Sequence, residues 1–375
     1  MNYAMPDYSN CLVNLSNSIL KAFGAETTAP TLAMADKLLE GSHKNVVLLL
    51  MDSMGISILE KHLKPDGFLR SHLVGPYSSV FPPTTVAATT SVLSGLYPNE
   101  HGWLGWDMYY PEINKNVTVF TNNDQLTEDG NGNPKTPVPA AEFHCGSRYC
   151  GYKNIIDKIN EAGGKAYASM PFMEPFPQEL DDVLGRVQSL CKEPGKKFIY
   201  SYWPEPDHTM HLNGPDSIEA HDLMLELENR LEQFASSLSD TLLFITADHS
   251  QIECKNYCLM DFPEITKSLI RMPAIEPRTL SFWVKDEYKE DFPSIFNKVF
   301  GEKFWILSKE EIIERKLFGI GKDHELFSDM LGDYICISVS DVAVFLTHEE
   351  MNMTPGGHAG LTKEELEIPL IAVFA

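Results

Sequence analysis

The chain has 375 residues, 43% of them hydrophobic and 22% charged, a balance that fits a globular protein with a sizeable interior. Its 53 acidic against 30 basic residues leave a formal charge of -23, which opposes tracking along polyanions and adhesion to anionic membrane surfaces; neither polymeric nucleic acid nor a membrane is an expected partner. No uninterrupted apolar stretch approaches a membrane span, and the amino-terminal segment has neither a basic start nor a small-residue cleavage site, so a cytoplasmic protein is expected.

Seven cysteines (11, 145, 150, 191, 254, 258 and 336) form an odd set without CxxC spacing, which argues against a disulfide framework and against a structural zinc finger. Cys254 and Cys258, four apart, are read as inert thiols.

In chain order, the first buried run is Val46–Met51, ending in Asp52 and followed by SMGISILEKHL, where helical periodicity begins. The Asp52 carboxylate therefore sits at a strand's carboxyl end beside a helix amino terminus, as a cap or as a ligand. The next segment, FPPTTVAATTSVLSGLYPNEHG, has a proline pair, two threonines, and small residues that allow a tightly packed helix before Gly95. A hydroxyl at such a turn caps the helix or, with a metal lowering its pKa, attacks phosphorus; local physics does not separate Thr84 from Thr85. Residues 122–141, rich in Asn, Gly, Pro and acidic side chains, read as an exposed loop.

Helical periodicity at Gly151–Glu161 leads to a strand at Lys165–Ser169, and Phe198–Trp203 is a further buried strand. It runs into WPEPDHTMH, where Asp207 and His211 lie one helical turn apart and face one cation, with His208 pointing elsewhere. A helix at Ser217–Leu238 precedes the strand Thr241–Ala247, which delivers the adjacent pair Asp248 and His249. Residues 251–349 carry their own strand and helix patterns (TLSFWVK, FPSIFNKVF, SKEEIIERK, YICISVS), enough for a small cap subdomain. Finally His358 sits in the glycine-rich PGGHAG, before a capping box from Thr362 to Glu365 and a last strand at Pro369–Phe374.

This alternation predicts a layered α/β/α core with a mostly parallel central sheet, built from residues 1–250 and 350–375, with residues 251–349 inserted as a cap. Polar residues that follow buried strands emerge at the sheet's carboxyl edge, where ligands bind. Asp52, Thr85, Asp207, His211, Asp248, His249 and His358 supply three carboxylates, three imidazoles and one hydroxyl, the donors that two zinc-like cations need.

In their order, LLMDSMG, FPPTTVAATTSVLSGLYPNEHG, MYYPEIN, WPEPDHTMHLNGP, TADHS and GGHAG resemble the type I phosphodiesterase and nucleotide pyrophosphatase family of the alkaline phosphatase superfamily. The resemblance runs from about residue 46 to the end of the sequence. It implies one divalent metal on Asp207, His211 and His358, and a second on Asp52, Thr85, Asp248 and His249. Thr85 is the implied nucleophile, because the family places that residue ten positions before the glycine that is here Gly95. Zinc is the expected metal, with manganese or iron compatible with the same ligands. A small phosphate-ester substrate and a phosphothreonine intermediate follow from the same resemblance.

The sequence also departs from the pattern. Val86 follows the nucleophile where the family's nucleotide hydrolases carry an aromatic, and Ala88 stands where the resemblance calls for a hydrogen-bonding amide. Thr89, Thr84 or a group from the cap is the candidate replacement donor; Trp106, Tyr109 and Tyr110 are candidates for an aromatic wall, with ordinary packing the leading expectation for them. Met210 replaces a glycine, and Arg148 is a loop arginine expected in solvent.

Overall fold

The computed structural model describes residues 3–129 and 132–375. Six strands form the central sheet: β1 (Asn45–Met51), β2 (Leu73–Ser78), β3 (Ala166–Ser169), β4 (Lys197–Trp203), β5 (Thr241–Thr246) and β6 (Glu367–Phe374), in the order β2-β6-β5-β1-β4-β3. β3, β4, β1 and β5 are mutually parallel, while β6 runs antiparallel to both β5 and β2. β1 lies in the middle and is buried along its whole length, which is why it reads as an unbroken apolar run instead of an alternating one. The strands expected from the sequence appear within one or two residues of their predicted ends, and β2, with its exposed first half, joins them as an edge.

Register places the acids. Leu50 pairs with Thr246 and Met51 with Trp203, so the chain leaves β1 and β5 side by side and delivers Asp52 next to Asp248. The Asp207 amide then donates to the Asp52 carbonyl at 3.2 Å, which brings the segment after β4 to the same corner.

A second, seven-stranded sheet runs Phe304–Ser308, Tyr334–Ser338, Thr279–Phe282, Ala274–Glu276, Asp107–Tyr110, Lys115–Thr118 and Asn123–Asp124. Residues 251–349 contribute its first four strands and residues 107–124 the other three, so this layer is assembled from two separate stretches of chain. FPSIFNKVF is a helix there, Phe292–Phe300, that buries its phenylalanines in the layer's own core. Residues 122–141 are mostly exposed or half-buried where described, but Glu128 is buried, with a side chain 2% exposed.

Candidate metal centre

Two helices bring donors to the edge. α1 (Thr85–Ser94) starts after the Pro82-Pro83 pair and stops at Gly95, whose φ of 70° is the left-handed conformation that ends helices. α2 (Asp207–Asn213) holds Asp207 and His211 four residues apart on one face. His208 is exposed.

All seven expected ligand residues converge. Thr85 Oγ1 lies 3.4 Å from Asp52 Oδ2 and 3.3 Å from His249 Nε2. His249 Nε2 in turn lies 3.5 Å from Asp52 Oδ1 and 3.5 Å from Asp248 Oδ2. On the other side, Asp207 Oδ1 is 3.4 Å from His211 Nε2 and 4.0 Å from His358 Nε2. Donor atoms of Asp207, His211 and His358 fall within 4.8 Å of one another, and so do those of Asp52, Asp207 and His249, so Asp207 stands between two clusters.

The two threonines that sequence leaves equivalent point in different directions. Thr84 donates its hydroxyl to Glu276 Oε1 at 2.6 Å, away from the cluster, and Thr89 donates back to the Thr85 carbonyl at 2.6 Å. Thr85 alone of these turns its hydroxyl toward Asp52 and His249, and it is half-buried among fully buried helical neighbours.

The imidazoles are held for ligation. His211 Nδ1 hydrogen-bonds the Gly356 carbonyl at 3.0 Å and His358 Nδ1 the Pro83 carbonyl at 3.2 Å, which fixes the tautomer that leaves each Nε2 lone pair facing the carboxylates. The loop carrying His358 approaches α2 closely enough that a Cβ at Gly356 would sit 2.5 Å from the Met210 carbonyl oxygen, so only glycine fits there. His249 and His358 stack at 3.9 Å between ring centroids.

Electrostatics agree with a cation site. Asp52 Oδ1 and Asp248 Oδ2 are fully buried with no hydrogen-bond donor among the described residues, an arrangement that costs free energy unless a cation supplies the missing partner. Burial, then repulsion from Asp248 and Asp207, drives the Asp52 carboxyl well above its ordinary range. Burial raises Asp248 as well. Burial also pushes on Asp207, but the His211, His358 and His249 imidazoles outweigh it and hold that carboxyl low. Burial keeps His358 well below its usual value and hence neutral, the state in which imidazole ligates a metal. The donor set therefore fits divalent cations: crowded carboxylates, orphaned oxygens and imidazole nitrogens aimed at common points.

Three residues that sequence reasoning passed over complete the frame. Ser53, at φ 61°, donates to Asp207 Oδ1 at 2.6 Å, lies 2.9 Å from His249 Nδ1, and its amide donates to Asp248 Oδ1 at 3.1 Å. Tyr202 donates its hydroxyl to Asp52 Oδ2, and Gln251 donates to Asp207 Oδ1 at 2.5 Å. Each lies within three residues of an expected ligand or at the last turn of a buried strand, the only signal the sequence carries for them.

Val86 and Ala88 are both fully buried and belong to hydrophobic clusters of the core. Tyr110 is likewise buried, and Tyr109 lies under the Arg271 guanidinium at 4.1 Å. Trp106 remains, 44% exposed, with its amide donating to the same Glu276 oxygen that accepts from Thr84. Arg148 is exposed and Met210 is buried. No described helix is long and apolar enough to cross a membrane.

Comparison with known proteins gives the same direction. The human ectonucleotide pyrophosphatase/phosphodiesterase family member 1 is 24% identical over 191 residues, 48% of this chain and 20% of that protein. The alkaline phosphatase PhoV of Synechococcus elongatus is 25% identical over 158 residues, 40% of this chain and 26% of that protein. The matched regions thus span only a fifth to a quarter of these curated relatives. Among solved structures, murine ectonucleotide pyrophosphatase/phosphodiesterase 5 superposes with a TM-score of 0.65 at 16% identity, covering 88% of both chains. Phosphonoacetate hydrolase from Sinorhizobium meliloti, bound to phosphonoformate, gives 0.61 at 14% identity, covering 88% of this chain and 90% of that one. The fold is that of the alkaline phosphatase superfamily. The model of the type I phosphodiesterase / nucleotide pyrophosphatase family matches residues 46–360, and the chain belongs to that family.

Proposed function

We propose that this protein is a metal-dependent phosphohydrolase that cleaves small phosphodiester or pyrophosphate bonds through a phosphothreonine at Thr85. The observation that carries this reading is the hydroxyl of the half-buried Thr85, 3.4 Å from Asp52 and 3.3 Å from His249 in the donor cluster. Asp207, His211 and His358 would hold one divalent cation, and Asp52, Asp248, His249 and Thr85 a second. Imidazole and carboxylate donors together favour zinc. When bound, such cations lower the pKa of a hydroxyl and neutralise charge on the transferring phosphoryl group.

The chain's own groups account for the rest. The Thr85 oxygen attacks phosphorus as the bond to the leaving oxygen breaks, and a water later cleaves the phosphoryl–threonine bond, which frees the threonine hydroxyl and the phosphate monoester that keeps the substrate's other substituent. Tyr202 and Ser53 hold Asp52, Asp207 and His249 in place throughout, so the charged groups need not reorganise during the reaction. Seven free cysteines and a surface of high negative charge support a reducing compartment and a small substrate.

A phosphonate or monoester substrate on the same site is the second reading, supported by the structural likeness to a phosphonoacetate hydrolase. Nitrophenyl mono- and diesters and a phosphonate, assayed on zinc-loaded protein, separate the two. Turnover of diesters that disappears in Thr85→Ala is the expected result. Turnover unchanged in Thr85→Ala would overturn the mechanism.

A further inference from the structure

Away from the centre described above, three other segments bring metal-binding side chains together. Glu128 comes from the 122–141 excursion, Cys258 ends the strand Lys255–Cys258, and His348 opens the helix His348–Met353. Their donor atoms lie within 4.8 Å of one another. We propose that Glu128, Cys258 and His348 form a second, non-catalytic metal site that takes a zinc-class cation and fastens the 122–141 excursion onto the second sheet layer.

The chemistry of the three groups favours this class. A carboxylate, a thiolate and an imidazole are the mixed oxygen, sulfur and nitrogen donors of zinc and its neighbours, whereas calcium and magnesium take oxygen alone. His348 Nδ1 faces Glu128, 2.9 and 3.0 Å from its two oxygens, while Nε2 lies 3.1 Å from Asp261 Oδ1. A carboxylate behind the far ring nitrogen is the arrangement that orients a metal-ligating histidine and raises its basicity. The Glu128 carboxylate is almost sealed from solvent, and among the described residues its hydrogen-bond donors are the backbone amide and the ring of His348. Cys258 Sγ is fully buried. His348 is 40% exposed, which leaves a side open for a water as the fourth ligand.

Without a cation these groups form a weaker arrangement. The imidazolium of His348 bridges Glu128 and Asp261, and the thiol stays protonated, raised by burial to about 11. Metal binding displaces the thiol proton and the proton on Nδ1 into solvent, so affinity rises with pH. The consequence for the fold is a cross-link from Glu128 to chain segments 130 and 220 residues further on, at Cys258 and His348.

Cobalt(II) distinguishes this site from the catalytic one, because the latter contains no sulfur. Protein stripped with a chelator and reloaded with cobalt(II) should show a thiolate-to-cobalt charge-transfer band in the near ultraviolet. Cys258→Ser should abolish that band and remove one equivalent of zinc per chain, while the Asp207→Ala variant keeps the band. Wild-type protein that binds cobalt(II) without such a band, or a band that survives Cys258→Ser, would overturn the proposal and leave His348 in a simple ion-pair bridge. The wild-type spectrum decides the matter even if the variant fails to fold.

Discussion

Replacing Glu365 with glutamine should destabilise the protein by about 3–5 kcal/mol, although the side chain keeps its shape. Glu365 and Arg278 form an ion pair with side chains 0% and 1% exposed. One carboxylate oxygen accepts from Arg278 Nε at 2.8 Å and the Gly360 amide at 2.7 Å; the other accepts from Arg278 Nη2 at 2.8 Å and the Thr362 hydroxyl at 2.6 Å. Whichever way a glutamine amide is turned, its NH2 meets donors, and the Arg278 charge is stranded in the interior. The loss corresponds to roughly two to four powers of ten in the folding equilibrium. Because Gly360 and Thr362 flank the His358 loop, cation affinity should fall with stability. Urea unfolding of metal-loaded wild-type and Glu365→Gln protein measures the difference, and Arg278→Met/Glu365→Leu should recover most of it by removing the buried charge altogether. A single variant within about 1 kcal/mol of wild type would refute the assignment of this pair as the loop's anchor.

Glu276, with its carboxyl raised by burial from 4.5 to about 8, should make stability fall with pH. The unfolded chain gives up that proton near 4.5 while the folded protein keeps it, so the contribution is complete below 4.5 and is lost as pH rises to about 8. Glu276→Gln keeps an acceptor for Thr84 and Trp106 and should flatten this part of the profile in unfolding measurements at several pH values; parallel profiles would contradict it. Ser53→Ala removes the hydroxyl between Asp207 and His249 and should weaken metal binding about 10- to 100-fold in a competition titration, an unchanged affinity counting against its orienting role. Asp207→Ala and Asp248→Ala should each lower metal content and activity together, and full metal stoichiometry in both would contradict the ligand assignment.

Much of the core was legible because its strands are long, apolar and parallel. VVLLLM and TLLFIT have no polar interruption, and each hands over to an acid at its carboxyl end, so strand position and ligand position arrive in one signal. The spacing of Asp207 and His211 is a purely local property and survives into α2 unchanged. What escaped is set by long-range register and side-chain direction. Thr84 and Thr85 differ only because Glu276, nearly two hundred residues later, takes one hydroxyl and leaves the other. Helical phase relative to the core is likewise not legible around position 88, in a run of small residues that is buried on nearly every side. The three strands within residues 107–124 are short, and only the pairing of the first of them, Asp107–Tyr110, with Ala274–Glu276 ties them to the second layer.

The most direct test is to quench zinc-loaded enzyme in acid during turnover of a diester and map its peptides by mass spectrometry. The phosphoryl group, still esterified to the substrate's non-leaving alcohol, should be found on Thr85 in the wild type and on no residue in Thr85→Ala, whose metal content stays intact. The same adduct on Thr84, or turnover with no covalent phosphoryl adduct at any position, would contradict the account.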